Sequence, residues 1–296
     1  MAIYSIADLS RLTGIKAHTI RTWEHRFGLL QPGRTDTNIR YYDDVQLKKL
    51  LNVNTLLKAG LKISSISQLN DHEMSSELER ILSGSDGNAE QFDISIINFV
   101  NATLFYNEEE FEKEYQLAVK KFGVVSTFID VIYPLLNRLG LLWVQDKACP
   151  AQEHFISNLI KQKLYVEIDN LKITEENSTQ TILFLPEWEE HEIGLLLANL
   201  LFRKAGVKVI HLGSKVPMPN IIDAIEYHHP KQIFTILISN HKLNEMQFMF
   251  DQLHDLFPEL HVFITGNSSF TRHLKLNEQC SWIYDFEEFE KALKLV

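Results

Sequence analysis

The spacing of apolar residues changes twice along the chain, and each change predicts a different kind of element. In the first seventy residues the apolar positions come in short helical runs. Ser5-Ile-Ala-Asp8 has the form of a capping box, with Asp where Glu is usual, and it opens a helix that puts Leu9 and Leu12 on one face. Gly14 ends that helix, and a second is expected from about Lys16 to Phe27, before Gly28. Two short helices joined by a glycine-containing turn make a helix-turn-helix pattern. Gln31 to Tyr42 is turn-rich and ends in β-formers, which suits a small wing. Asp43 then caps a longer helix through Lys58, Gly60 ends it, and Leu61 to Leu69 forms another short element.

Residues 71–82 read as helical and acidic, and Ser83-Gly-Ser-Asp-Gly-Asn88 as a linker, small and polar with no apolar anchor. From about Ala89 to Asn170 apolar residues recur at helical spacing: Ile96, Ile97, Phe99 and Val100, then Phe111, Tyr115 and Val119, then Phe128 to Leu142. Four such helices with short connections indicate a bundle. After Glu175 the period changes again. Residues 181–185, 207–212, 233–238 and 261–265 are continuous apolar runs separated by helical patterns, with a fifth strand expected over 280–284 and a closing helix over 287–296. Strands that are apolar throughout are buried on both faces, which implies a parallel sheet with helices on each side. The expected domains are therefore 1–75, a linker over 76–88, a bundle over 89–175 and an α/β domain over 176–296.

Composition adds little until it is resolved by region. No apolar run approaches the length of a membrane span, and the N-terminus lacks the layout of a signal peptide. The two cysteines, Cys149 and Cys280, sit far apart and support neither a disulfide framework nor a zinc site, so a cytoplasmic protein is expected. The net charge of −10 conceals a division: residues 1–70 carry a net +5 and the remainder −15. A basic head on an acidic body concentrates attraction for phosphate at one end, although such a division also arises by chance.

The second helix carries His18, Thr19, Arg21, Thr22, His25 and Arg26 beside an apolar side of Ile20 and Trp23. A recognition helix needs that division, with one face packed on the protein and polar groups turned to the major groove. Arg34 and Arg40 in the wing could pair with phosphates, as could the hydroxyl of Tyr41 or Tyr42. A solvated basic helix would look similar on residue types alone. The order of residues distinguishes the two. Tyr4-Ser-Ile-Ala-Asp-Leu-Ser, Gly14-Ile, Thr19-Ile-Arg-Thr-Trp-Glu24, Gly28-Leu-Leu, Pro32, Arg34 and Arg40-Tyr-Tyr together resemble the MerR family of winged helix-turn-helix regulators across nearly all of residues 1–70. The resemblance implies binding to promoter double-stranded DNA, with DNA contacts from His18, Thr19, Arg21, Arg34, Arg40 and Tyr41. It also implies a homo-oligomer, a dimer or tetramer, assembled through the C-terminal part because a bundle replaces the family's coiled-coil helix.

Two clusters stand out beyond the linker. Trp143 is followed after nine residues by Glu153-His154, at the junction of two bundle helices. Glu189-Glu-His191-Glu-Ile-Gly194 lies between the first expected strand and its helix, at the sheet edge where such folds bind ligands. A neutral imidazole there could coordinate a metal while a carboxylate two positions away holds its other nitrogen, and Gly194 would let backbone approach something large and flat. On spacing alone, a solvated histidine and a bundle-core tryptophan are the more common outcomes. Helical bundle, Trp-x₉-Glu-His and Glu-x-His-x-x-Gly in succession resemble a cobalamin-binding module with a flavodoxin-like, Rossmann-like α/β domain. Joined to a MerR-like head, the whole resembles the CarH/LitR regulators. That resemblance implies adenosylcobalamin or methylcobalamin bound between bundle and α/β domain, with His191 as lower ligand to cobalt and Glu189 orienting its ring. Trp143, Glu153 and His154 would cap the upper face, and Ser239 and Gly266 would line the slot for the nucleotide tail.

The sequence departs from that pattern in several places. Glu189 stands where Asp is commoner, Val144 where light-sensing members have a histidine, Gly266-Asn267 for Gly-Gly, and Ser239-Asn-His241 for Ser-x-Leu. The expected function is a transcription regulator, not an enzyme, whose assembly and promoter binding respond to cobalamin. One alternative is a MerR-type regulator whose C-terminal module has lost cobalamin and senses another ligand or a protein partner. Another is a corrinoid carrier in methyl transfer, for which the DNA-binding head has no use.

Overall fold

The computed structural model describes residues 3–35, 37–58, 60–70, 73–74, 76–77, 88–143, 150–171, 180–267 and 273–294. The chain divides into two compact units, Met1–Ile156 and Ser157–Val296. No helix among the described residues is long and apolar enough to cross a membrane.

The first unit begins with the helix-turn-helix. Helix α1 (Ile6–Thr13) is closed by the expected capping box: the Ser5 amide donates to Asp8 Oδ2 at 2.8 Å while the Asp8 amide donates to Ser5 Oγ at 3.3 Å. The shorter Asp side chain therefore does the work of Glu. Gly14 takes the left-handed conformation (φ 75°) that ends α1, and α2 (Ala17–Phe27) follows. The wing is a minimal antiparallel pair, β1 (Gly33–Arg34) with β2 (Arg40–Tyr41), extended by a bridge between Tyr4 and Tyr42. Asp43 caps α3 (Asp44–Lys58) by accepting from the Gln46 amide at 2.9 Å. Leu47, Leu50, Leu51 and Leu56 of α3 are buried, and the buried Asn54 side chain donates to Thr13 O at 2.6 Å, fastening α3 to the end of α1. A single turn, α4 (Ile63–Ile66), completes the head. The expected linker at 76–88 lies mostly outside the described residues.

The first unit continues with the bundle helices α5 (Asn88–Leu104) and α6 (Glu108–Phe122) and a composite third helix, and α9 (Pro150–Asp169) begins in the first unit and ends in the second. The composite consists of α7 (Val124–Ser126), a π-helical segment Thr127–Ile132 and α8 (Tyr133–Trp143). In the π segment the Tyr133 amide donates to Phe128 O, five residues back, one step before Pro134, which has no N–H to give. Phe99, Phe111, Tyr115 and Phe128 form a continuous aromatic cluster between the helices.

The second unit is built on a five-stranded all-parallel sheet in the order β4-β3-β5-β6-β7. Its strands are β3 (Gln180–Pro186), β4 (Lys208–Val216), β5 (Gln232–Leu237), β6 (His261–Gly266) and β7 (Cys280–Trp282). Helices α10 (Glu192–Lys204), α11 (Met218–His228), α12 (Leu243–Leu256) and α13 (Phe286–Lys294) connect and close it. Alternate residues of β5 serve opposite faces. Ile233 and Leu237 join the core beneath α11 and α12, whereas Phe234 packs edge-on against Phe202 of α10 and Phe289 of α13. The strand order reverses direction between β3 and β5, so the loops leaving these two strands diverge and open a crevice at the carboxyl edge. The expected fold, a helix-turn-helix head, a helical bundle and a flavodoxin-like parallel sheet, is the one observed.

Candidate functional site

On α2, Ile20 is fully buried and Trp23 half-buried, while His18, Arg21, Thr22, His25 and Arg26 are exposed. Thr19 is half-buried, and its hydroxyl lies 3.3 Å from His18 Nε2. The division expected of a recognition helix is therefore present. Arg34 is exposed and donates to Asn38 Oδ1 at 2.6 Å across the wing tip. Tyr41 lies against Gly33, where a Cβ would sit 2.3 Å from its ring, so a glycine is needed for that ring to rest on β1. Tyr42, the alternative to Tyr41 as a phosphate contact, is fully buried, and its hydroxyl donates to Glu24 at 3.0 Å. Burial, reinforced by Glu24, pushes the Tyr42 phenol up to about 12.

Sequence reasoning gave Glu24 no separate role. Its Oε1 accepts from Arg40 Nε at 2.8 Å while Oε2 accepts from Tyr42, so one carboxylate of α2 fastens the wing through both oxygens. The positions Glu24, Arg40 and Tyr42 all fall within the residue order quoted above, but nothing in their spacing says that they meet.

In the second unit the turn after β3 carries Glu189, whose side chain is fully buried. Its carboxylate is surrounded by donors. Oε1 accepts from the amides of Glu190 (3.0 Å) and His191 (3.1 Å), from His191 Nδ1 (2.5 Å) and from Ser239 Oγ (3.0 Å). Oε2 accepts from the amides of Ile238 (2.7 Å) and Ser239 (2.6 Å), just past the end of β5. Burial alone would raise this carboxyl, but the hydrogen bonds from His191, Ser239 and Ile238 overcome it and bring it down to about 2. An ionised carboxylate can only accept, so Nδ1 of His191 carries a proton, and a neutral ring would have its lone pair on Nε2. The His191 side chain is 53% exposed. A buried anion thus fixes the tautomer and tilt of a half-exposed imidazole.

Glu189, His191 and Ser239 are therefore brought together, with Ser239 Oγ 3.3 Å from His191 Nδ1. Gly266 ends β6 opposite Leu237, in a conformation (φ 133°) where a Cβ would lie 2.1 Å from Leu237 O, so only glycine fits. At Gly194, in the first turn of α10, a Cβ would meet Ile236 Cδ1 at 2.8 Å, so this glycine also lets the helix lie close to β5. Glu153 is in the first turn of α9, and the adjoining His154 is 73% exposed with its Nδ1 2.6 Å from Glu153 Oε2. Trp143 ends α8, but its side chain, like all of Val144, lies outside the described residues. Trp188 stacks on His241 at 4.3 Å, joining the two loops that embrace Glu189, a contact with no sequence signal.

Residues 4–73 match the model of the MerR HTH family regulatory proteins, and residues 98–166 match that of the B12 binding domain. The chain joins a MerR-type head to a B12-binding-type domain. It is similar to the HTH-type transcriptional repressor CarH of Myxococcus xanthus, 27% identical over 270 residues, which covers 89% of this chain and 88% of the relative. It is also similar to the repressor CarA of the same organism, 26% identical over 215 residues, covering 72% and 68% respectively. Among solved structures, the monomethylamine corrinoid protein of Methanosarcina barkeri shares the fold, with a TM-score of 0.55 at 14% identity, covering 66% of this chain and 95% of that one. Both relatives are HTH-type transcriptional repressors.

Proposed function

We propose that this protein is a cytoplasmic transcription regulator that binds cobalamin through His191, and that the cofactor controls its self-assembly and its hold on promoter DNA. The observation that carries the reading is the Glu189 carboxylate, which leaves the ring of a half-exposed histidine with its lone pair on Nε2. Metal-ligating histidines characteristically donate their other nitrogen to a carboxylate. A histidine held in this way fits the group that the B12-binding-type domain implies. Cobalamin bound there would supply a cobalt ion that His191 Nε2 could ligate. The chain's own part is to hold the His191 proton on Nδ1, to keep Glu189 ionised and to give the ligand a slot at Ser239 and Gly266. Trp143, Glu153 and His154 belong to the cofactor-binding set on the resemblance. On DNA, His18, Thr19 and Arg21 read the major groove from α2, while Arg34, Arg40 and Tyr41 meet phosphates. Assembly would raise DNA affinity by placing several heads on one operator. A light response is not included, since Val144 offers no side-chain donor to cobalt.

The test is reconstitution of the full chain with adenosylcobalamin, followed by size-exclusion chromatography and promoter-DNA retention with and without the cofactor. Corrin absorbance should elute with the protein, the elution volume should shift, and DNA retention should change in step. If no corrin comigrates, the reading fails and the sensor of another ligand or protein partner replaces it. His191→Ala should abolish the cofactor-dependent shift while leaving the head folded.

A further inference from the structure

The His191 ring is held by Glu189 and Ser239, and the backbone on either side of it is held by a different element. Strand β4 pairs regularly with β3 as far as His211, and the register then shifts twice before pairing resumes at Val216. Within that irregular stretch Gly213 (φ 84°) and Lys215 (φ 56°) both adopt left-handed backbone. This conformation is ordinary for glycine and strained for lysine, which carries a Cβ. In it the Lys215 amide donates to Glu189 O at 3.1 Å, and Lys215 Nζ pairs with Glu190 Oε2 at 2.5 Å. One residue earlier, Ser214 Oγ donates to Glu192 Oε1 at 2.6 Å. Two consecutive residues of β4 thus hold both neighbours of His191. The Lys215 ammonium also draws the exposed Glu190 carboxyl below its ordinary range.

We propose that Lys215 is a positioning residue for His191: its ammonium, delivered by the left-handed turn, pins the Glu190 side of the loop so that Nε2 is presented in one orientation. This rests on the reading of His191 as a metal ligand, but the orientation itself can be measured without any cofactor. A turn with no further duty would be better served by glycine, which adopts this conformation freely. Lysine at a strained position makes sense where its side chain is used.

Lys215→Gly keeps the backbone bond to Glu189 and relieves the strain while removing the side chain with its ammonium, and Glu190→Gln breaks the same pairing without adding backbone freedom at the turn. In the full chain without cofactor, the Lys215→Gly variant should melt at or above the wild-type temperature. Its amide hydrogens at Glu190 and His191 should nevertheless exchange faster, by roughly threefold, and methylcobalamin should bind roughly threefold more weakly, the scale of an exposed ion pair. Glu190→Gln should reproduce both effects, and Lys215→Arg should restore both. Wild-type exchange and wild-type affinity in Lys215→Gly would overturn the proposal. Should the wild type itself bind no methylcobalamin, the ligand reading of His191 falls, while the exchange comparison still decides whether Lys215 orders the loop.

Discussion

Two acidic side chains are buried among the described residues, one in each unit, and they ionise in opposite ways. Glu114, in the middle of α6, is pushed up to about 7 by its burial, against hydrogen bonds from Ser95 and Asn98, the latter at 2.8 Å. Burial acts on Glu189 in the same direction, and it still falls to about 2. The difference lies in what each backbone has left to give. Inside a helical bundle the amides are consumed by their own i→i−4 bonds, so a buried carboxylate there meets only side chains. At the carboxyl edge of a parallel sheet the chain leaves β5 with the Ile238 and Ser239 amides unspent, and both point at Glu189. A buried anion is tolerated where the backbone stops being regular.

The largest way to break this comparison is to remove the anion that many donors serve. Glu189→Ala should destabilise the α/β unit by about 3 kcal/mol at pH 7, since it strands buried donors and takes away a desolvated charge. Urea unfolding measures this, and a loss below about 1 kcal/mol would mean that the donors find water instead. The opposite substitution should help. Glu114→Gln should stabilise the protein by about 2 kcal/mol at pH 8, where the wild-type carboxylate is ionised and poorly partnered, and by nearly nothing at pH 4.

The pH profiles then separate the two groups by sign. Glu114 keeps in the folded state a proton that the unfolded chain loses near 4.5, so its contribution is greatest below 4.5 and declines as pH rises toward about 7. Glu189 has the reverse behaviour: its contribution is complete above 4.5 and is lost as pH falls toward about 2. Amide exchange in α6 and in the 189–191 loop, followed from pH 3 to 8, should show these trends in separate windows. The smallest effect concerns Glu24, an intermediate case with a 12% exposed side chain shared by Arg40 and Tyr42. Glu24→Gln should cost the head about 1 kcal/mol and should weaken promoter binding by releasing Arg40 from its set position. Unchanged DNA retention would show that the wing needs no such fastening.

The parts readable in sequence were those written locally. The Ser5–Asp8 cap, the glycine after α1 and the doubly apolar strands each depend on residues a few positions apart, and all are observed. Strand β4 runs past the expected Leu212 to Val216 because a bulge at Gly213 lets pairing with Pro186 resume, which apolar patterning cannot anticipate. The Glu189–His191 spacing was also readable, since both residues lie in one turn. The remaining half of that cradle was not, because Ile238 contributes only its amide and Ser239 contributes its amide as well as its hydroxyl, and a backbone N–H has no sequence signature. Glu24 was hidden for a related reason: its partners are 16 and 18 residues away, across a turn whose geometry decides the encounter.

The wide sequence separation within the cradle has a consequence for the chain as it is made. Glu189 is bonded to an amide and a hydroxyl 50 residues further on, so when it first emerges from the ribosome it is a solvated acid beside a freely turning histidine. The imidazole acquires its fixed tautomer only after β5 and the segment beyond it have been synthesised and have docked beside β3. By then the MerR-type head and the bundle have long been available to fold. A nascent chain can thus fold its MerR-type head before the ring of His191 is set.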